Sequence, residues 1–143
     1  MGKINMNRVL GGGIAAGFVI MGANVAALKQ LLVMMQMDMM TMPGLFTGWS
    51  HIVEFILGIC IAWLYAAIRP RLGAGPRTGI IAGFAGWFLS YGFIWFEWAD
   101  RWPAQMRWSI DIVTIWRLAG CVVGGWLAGW IYRETRVSGG KRS

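Results

Sequence analysis

Residues 44–71 read GLFTGWSHIVEFILGICIAWLYAAIRPR and indicate the class of protein to which the chain belongs. From Leu45 to Ile68 this run is apolar and, at about 1.5 Å per residue, long enough to cross a hydrocarbon core of about 30 Å as an α-helix. Between Leu45 and Ile68, only His51 and Glu54 interrupt the apolar run with side chains that are acidic or basic. Because a carboxylate inside such a helix is costly unless it is paired or protonated, the segment predicts a polar partner elsewhere in the chain.

The composition of the whole chain also indicates a membrane protein. Hydrophobic residues make up 57% and charged residues 13% of its 143 residues, against about 45–50% and about 25% in soluble domains. Ten tryptophans and twenty-one glycines fit this class, because Trp anchors helices at membrane interfaces and Gly lets helices approach closely in lipid. The net charge of +7 would favour nucleic acid as the partner of a soluble protein. Here the basic residues follow a topology pattern, so we expect the lipid bilayer and no nucleic acid as partner.

Four apolar segments predict four membrane-spanning helices within one domain that covers residues 1–143. The predicted spans are about residues 9–35, 45–68, 78–96 and 108–132. Glycine, proline and arginine separate the second span from the third, as is typical of a turn. The predicted fold class is therefore all-α, an integral membrane four-helix bundle.

The first apolar segment has an alternative interpretation as a cleavable signal peptide. The basic start MGKINMNR and the sequence VAA at 25–27 are compatible with such a signal. Signal peptides have an apolar region of about 7–15 residues, whereas the apolar stretch from Val9 continues to Met35. We therefore favour a helix that is retained.

The distribution of Lys and Arg predicts the orientation in the membrane. If both termini lie on one side, that side holds nine basic residues: Lys3, Arg8, Arg69, Arg71, Arg77, Arg133, Arg136, Lys141 and Arg142. The opposite side holds three: Lys29, Arg101 and Arg107. Because basic residues favour the cytoplasmic side, we expect both termini in the cytoplasm.

A weak internal repeat predicts that the bundle consists of two parallel two-helix halves. The hexapeptide GIAAGF at 13–18 recurs as GIIAGF at 79–84, an offset of 66, and WLY from Trp63 recurs as WIY from Trp130, an offset of 67. Two halves that each start and end on the same side would give such offsets. Chance similarity in a glycine-rich sequence is the alternative. In this alignment Glu54 corresponds to a cysteine, Cys121, so we expect the polar site to be asymmetric between the two halves.

Counting residues from the cytoplasmic arginines identifies the side chains that can reach Glu54. Four residues fall at one depth, about 21–24 Å from that side at about 1.5 Å per residue: Asn24, Glu54, Tyr91 and Arg117. An ion pair between Glu54 and Arg117 with two parallel hydrogen bonds would compensate both charges. The sequence therefore predicts this pair as the centre of an intramembrane polar network.

Three residues about one helical turn further outward are expected to extend the network: Lys29, His51 and Asp111. We favour a structural role, because paired polar side chains hold membrane helices together. The alternative is a proton or ion path through Glu54 and His51, which requires a water-connected route. For His51 itself, a hydrogen-bonded histidine is favoured over a metal ligand.

A methionine-rich stretch, MMQMDMMTM at 34–42, follows the first predicted span. Thioethers are soft ligands that select Cu(I), and four residues are candidate ligands: Met37, Met39, Met40 and Met42. The alternative is that these methionines are flexible apolar filler over helix ends. We favour the filler because no cysteine accompanies the cluster, and we expect no cofactor.

Glycines at GxxxG spacing predict close packing of the helices. The candidates are Gly13, Gly17, Gly79, Gly83, Gly120 and Gly124. Motifs of soluble enzymes such as GxSxG, HExxH and CxxC do not occur in the sequence. We therefore expect a protein without enzymatic activity.

Residues 63–91, WLYAAIRPRLGAGPRTGIIAGFAGWFLSY, resemble the central signature of a family of small four-helix bacterial inner-membrane proteins of unknown function. The resemblance implies four spans in a bacterial cytoplasmic membrane, and it implies no particular activity. The methionine-rich stretch and the tryptophan-rich segment near Trp98 depart from the pattern of that family.

We expect an accessory or scaffold subunit that packs against a larger membrane complex or against copies of itself. The glycine faces on three helices, in excess of what one bundle must bury, and the tryptophan-rich segment favour such partners. The alternative is a small transporter or channel for protons, ions or Cu(I). It would use Glu54, Arg117 and His51, or the methionine-rich stretch.

Overall fold

The computed structural model describes residues 4–36, 48–92 and 107–132, and these residues are helical almost throughout. The four α-helices of this part of the chain are α1 (Met6–Met35), α2 (Gly48–Leu72), α3 (Pro76–Trp87) and α4 (Arg107–Ile131). A π-helical segment, Phe88–Gly92, continues α3. The prediction of an all-helical protein is confirmed.

Three of the four helices are long and apolar enough to cross a membrane: Met6–Met35, His51–Leu72 and Arg107–Ile131. They correspond in sequence to the first, second and fourth predicted spans. The third predicted span, 78–96, extends beyond the described residues, which end at Gly92 in that region. The assembly of these helices into a transmembrane bundle and their orientation stay predictions.

The helix ends follow local sequence signals. The side chain of Asn5 accepts a hydrogen bond from the backbone N–H of Arg8 at 3.3 Å and caps the start of α1. Gly73, with φ +86°, ends α2 in a conformation that favours glycine. Pro76 occupies the first position of α3, where its missing N–H costs nothing. Gly73 and Pro76 together produce a short turn between α2 and α3.

The four helices pack unequally. Helix α1 packs extensively against both α2 and α4, whereas α2 and α4 pack less on each other, and α3 packs mainly on α4. This places α1 between α2 and α4.

Glycines allow the close approach of α1 and α2. A Cβ atom added to Gly13 would lie 2.5 Å from the Cα of Ile59, and one added to Gly17 would lie 3.0 Å from the Cα of Phe55. A Cβ on Gly58 would lie 2.9 Å from the Cα of Gly17. Because backbone atoms are in the way, no side chain larger than hydrogen fits at this seam.

The remaining predicted glycines lie at contacts of α4. A Cβ on Gly79 would lie 3.2 Å from the Cα of Trp126, and one on Gly83 would lie 3.0 Å from the Cα of Val122. Gly120 and Gly124 face α1 instead. A Cβ on either would lie 3.3 Å from a Cα atom of that helix, in Ile20 for Gly120 and in Ala16 for Gly124. All six glycines predicted at packing sites therefore contact helices of the same chain. They do not form the additional glycine faces expected to contact a partner.

A tyrosine pair, Tyr65 and Tyr132, lies at the end of the structure where α1 begins and α4 ends. The two rings meet edge to face with centroids 5.7 Å apart, and both residues are buried. The Tyr132 hydroxyl accepts a hydrogen bond from the backbone N–H of Asn5 at 3.0 Å, and the Tyr65 hydroxyl accepts one from that of Gly75 at 3.2 Å. The start of α1, the α2–α3 turn and the end of α4 thus lie together.

The glycine seam gives a prediction about stability. Gly58→Ala should lower the free energy of unfolding by about 1–3 kcal/mol, because the added methyl group would overlap backbone atoms of α1. Thermal unfolding in a mild detergent measures this loss. Gly22→Ala is the matched control, since Gly22 has no atom within 4 Å of an added Cβ. Equal stability of the two variants would contradict the packing described for Gly58.

Candidate functional site

Side chains from four helical segments meet at one level of the structure. They are Asn24 on α1, Glu54 on α2, Tyr91 in the π-helical segment and Arg117 on α4. Together with His51 on α2 we call these residues the polar network. Contacts connect all five, so the residues that the sequence places at one depth lie close together in the structure.

Glu54 is the buried acid of the network, with 6% of its surface exposed. Its Oε1 accepts a hydrogen bond from the amide Nδ2 of Asn24. Its Oε2 lies 3.5 Å from Nδ1 of His51, which precedes it by three residues on the same helix. This second contact is longer than an ordinary N–H···O hydrogen bond of about 2.7–3.2 Å. The two carboxylate oxygens therefore differ in how tightly they are held.

Asn24 connects the acid to the arginine. Its Nδ2 donates to Glu54, and its Oδ1 accepts a hydrogen bond from Nε of Arg117 at 3.0 Å. A carboxamide carries both a donor and an acceptor, so it can lie between an anion and a cation and satisfy each. The link differs from the direct ion pair of Glu54 and Arg117 that the sequence predicts. Helix α1 lies between α2 and α4. The Asn24 side chain of α1 therefore separates the charges of Glu54 and Arg117.

The guanidinium group of Arg117 also lies over an aromatic ring. Its Cζ is 4.3 Å from the centroid of the Tyr91 ring, a cation–π distance that favours a desolvated cation. Tyr91 belongs to the π-helical segment, and the hydroxyl of the preceding residue, Ser90, donates to the carbonyl of Gly86 in α3 at 2.6 Å. Single turns of π-helix occur frequently at functional sites. Arg117 is thus held from two helices.

Two polar features near the network were not found from the sequence. Trp116 donates its indole N–H to Oε1 of Gln30 at 2.6 Å and links α4 to α1. Gln30 follows Asn24 by six residues in an otherwise apolar helix. A second polar residue in this helix was the signal from which a second interhelical hydrogen bond could have been predicted. Nε1 of Trp87, directly before the π-helical segment, is buried and has no hydrogen-bond partner among the described residues.

Lys29 and Asp111 do not extend the network as expected. Both side chains are exposed on their helices, and the contacts that join the network involve neither of them. The expectation of a seven-residue network therefore reduces to five residues.

The candidate copper ligands Met37, Met39, Met40 and Met42 lie outside the described residues. Binding of Cu(I) to them stays a prediction. Within residues 4–36, 48–92 and 107–132, no group of three or more His, Cys, Asp or Glu side chains is arranged to hold a metal ion.

The charges of the network balance. Glu54 contributes one negative charge and Arg117 one positive charge, so their sum is zero when His51 is neutral. A neutral set of hydrogen-bonded groups is the arrangement in which buried charges are tolerated in an apolar medium. The described contacts thus account for how a carboxylate is accommodated in α2.

Comparison of the chain with protein-family models, curated proteins and solved structures finds no match. The resemblance of residues 63–91 to small four-helix bacterial inner-membrane proteins stays a prediction. Function is therefore inferred from the chemistry of the polar network and from the packing around it.

The bridging role of Asn24 gives a second prediction. Asn24→Leu should be destabilising by about 3–5 kcal/mol, because it leaves the buried Glu54 and the half-buried Arg117 without their shared partner. Thermal unfolding of the purified protein measures the effect. Val25→Leu, an apolar change at the next position of α1, should be close to neutral. Stability of Asn24→Leu equal to that of Val25→Leu would exclude a bridge through Asn24.

Proposed function

We propose that this chain is a non-enzymatic integral membrane protein of a bacterial cytoplasmic membrane, acting as an accessory or scaffold subunit of a larger membrane assembly. One observation carries the proposal: the charged side chains of the polar network are bound by other side chains of the same network. Oε1 of Glu54 is bound by Asn24, and Arg117 is held by Asn24 and Tyr91. Charged groups that are used to hold helices together support a structural role rather than catalysis.

The proposal includes both termini in the cytoplasm. The tyrosine pair supports it, because Tyr132 binds the start of α1 at Asn5 while Tyr65 binds Gly75 in the α2–α3 turn. These contacts bring together the three parts of the chain that would have to lie on one side. The excess of Lys and Arg near those parts favours the cytoplasm as that side.

The proposal also includes two parallel two-helix halves. Their packing contacts support it: Gly17 packs against Gly58 between α1 and α2, and Gly83 packs against Gly125 between α3 and α4. The offsets from one pair to the other are 66 (17 to 83) and 67 (58 to 125). These are the offsets of the sequence repeat, and Tyr65 and Tyr132 are also 67 apart. Contacts that repeat with the sequence favour duplication over chance.

The surface of the described helices suits a lipid or protein environment. Large apolar side chains are exposed along all of them, and three exposed tryptophans lie towards the tyrosine-pair end: Trp63, Trp126 and Trp130. Because the glycine seams are used inside the chain, a partner helix would contact these large side chains. Such a surface fits an accessory subunit whose partners are other membrane helices.

Purification in a mild detergent tests this function. A tagged copy isolated from its own membrane should bring a second membrane protein in a fixed ratio, whereas the same tag on an unrelated multi-span protein should not. The chain reconstituted alone in liposomes should give no proton or ion flux above that of empty vesicles.

Two results would contradict the proposed function. One is isolation of the chain alone at every detergent concentration that keeps it folded. The other is a flux in the liposomes that Glu54→Gln abolishes, which would support the transporter alternative.

A further inference from the structure

The end of the structure that carries the tyrosine pair is strongly basic. Four arginines of the described residues lie near helix ends there: Arg8, Arg69, Arg71 and Arg77. The tyrosine pair brings these helix ends together, because Tyr132 binds the start of α1 and Tyr65 binds the turn between α2 and α3. Four positive charges from three helices are thus placed at one end of the structure.

Acidic side chains do not offset this charge. Within residues 4–36, 48–92 and 107–132 the acidic side chains are Glu54, in the polar network, and Asp111, near the start of α4 at the opposite end. Residues 1–3 and 133–143 lie outside the described residues, and by sequence they carry five basic side chains and one acidic side chain. The sequence around the tyrosine-pair end therefore has a large excess of positive charge.

Two of the four arginines, Arg71 and Arg77, are available to an external anion. Both are exposed, and neither makes a hydrogen bond or an ion pair with another described residue. They flank the short turn between α2 and α3, which Thr78 holds by donating its hydroxyl hydrogen to the carbonyl of Gly73 at 2.8 Å. The turn therefore keeps both cations at the same end of the structure.

Exposed indole rings lie at the level of these arginines. A Cβ added to Gly129 of α4 would lie 3.4 Å from the carbonyl oxygen of Gly75, the residue directly before α3. Trp130 follows Gly129 and is 51% exposed, so it lies beside the first turn of α3, which contains Arg77. Trp126, one turn earlier on α4, is 44% exposed. Tryptophan prefers the level of the headgroups at a membrane interface, so this end has the composition of a surface in that layer.

We propose that the tyrosine-pair end binds the headgroups of anionic phospholipids, and that Arg71 and Arg77 contact the lipid phosphate. A phosphodiester carries one negative charge, and the guanidinium group offers two N–H donors in a planar fork that matches it. A zwitterionic lipid carries the same phosphate together with a cation, which the arginines repel. The surface therefore selects lipids whose net charge is negative.

An acidic segment of a partner protein is the other chemistry that matches such a charge. Lipid is favoured because the exposed indoles and large apolar side chains next to the arginines already place them at the headgroup layer, where basic clusters attract anionic lipids. Lipid selection rests on the membrane-spanning helices of the proposed function. It requires neither a partner subunit nor a particular orientation.

Electron paramagnetic resonance of spin-labelled lipids tests the selection. The full chain is reconstituted in phosphatidylcholine vesicles with a trace of phosphatidylglycerol or phosphatidylcholine that carries the label on its acyl chain. The fraction of label slowed by the protein gives the relative association of the two lipids. We expect phosphatidylglycerol to be preferred about two- to tenfold at low salt, the range of a few exposed charge pairs. Raising the ionic strength from about 0.02 M to about 0.5 M should reduce the preference, because salt screens exposed charges.

Two double variants locate the site. Arg71→Gln with Arg77→Gln should lose most of the preference, and its fold should be retained because both side chains are exposed. Lys29→Gln with Arg107→Gln is the matched control. It lowers the net charge of +7 by the same two units but removes exposed cations from the opposite end. The control should keep the preference of the parent chain.

Three results would overturn the proposal: equal association of the two lipids with the parent chain, a preference that salt does not reduce, and the same loss of preference in both double variants. Release of spin-labelled phosphatidylglycerol by inorganic phosphate at constant ionic strength would also overturn it, because the site would then bind free phosphate. So would a partner protein that co-purifies with the parent but not with the Arg71 and Arg77 variant, if the lipid preference is the same in both. Failure of co-purification with the lipid preference retained would affect only the scaffold function.

Discussion

The structure depends on how one carboxylate is accommodated in an apolar helix. Glu54 is buried in α2, and its ionised form would destabilise any arrangement that left it unpaired. Asn24 meets this requirement because one end of its side chain donates to the acid and the other accepts from Arg117. These hydrogen bonds fix the relative positions of α1, α2 and α4 along the direction of their axes.

Close packing and the polar network depend on each other. Glycine seams bring α1 near α2 and α4, so that short side chains such as that of Asn24 can bridge them. The cation–π contact of Arg117 with Tyr91 then adds the segment after α3 to the same level. Van der Waals packing at small residues is a main source of helix association in lipid, where apolar side chains gain little by leaving the surrounding tails. Glycine allows the helices to approach closely, and the polar network determines which helices lie next to each other and in what register.

The sequence predicted the parts of this arrangement that depend on helical geometry. The apolar runs identified α1, α2 and α4, and residue counting placed Glu54 and Arg117 at one depth because the rise per residue is constant. It did not show that Asn24 lies between them, since depth contains no information on which helices are neighbours. The π-helical turn that holds Tyr91 has no distinctive sequence signal. GxxxG spacing identified the packing glycines. It did not show whether the helix that packs on them belongs to the same chain, because the sequence does not specify which helices are neighbours.

A double-substitution experiment tests the central claim, that Glu54 and Arg117 compensate each other inside the protein. The free energies of unfolding are measured for Glu54→Gln, Arg117→Gln and the double variant. The account predicts a loss of about 3–5 kcal/mol for each single variant, because each leaves one buried charge uncompensated, and recovery of much of that loss in the double variant. A double variant that is destabilised by the sum of the two single losses would contradict it.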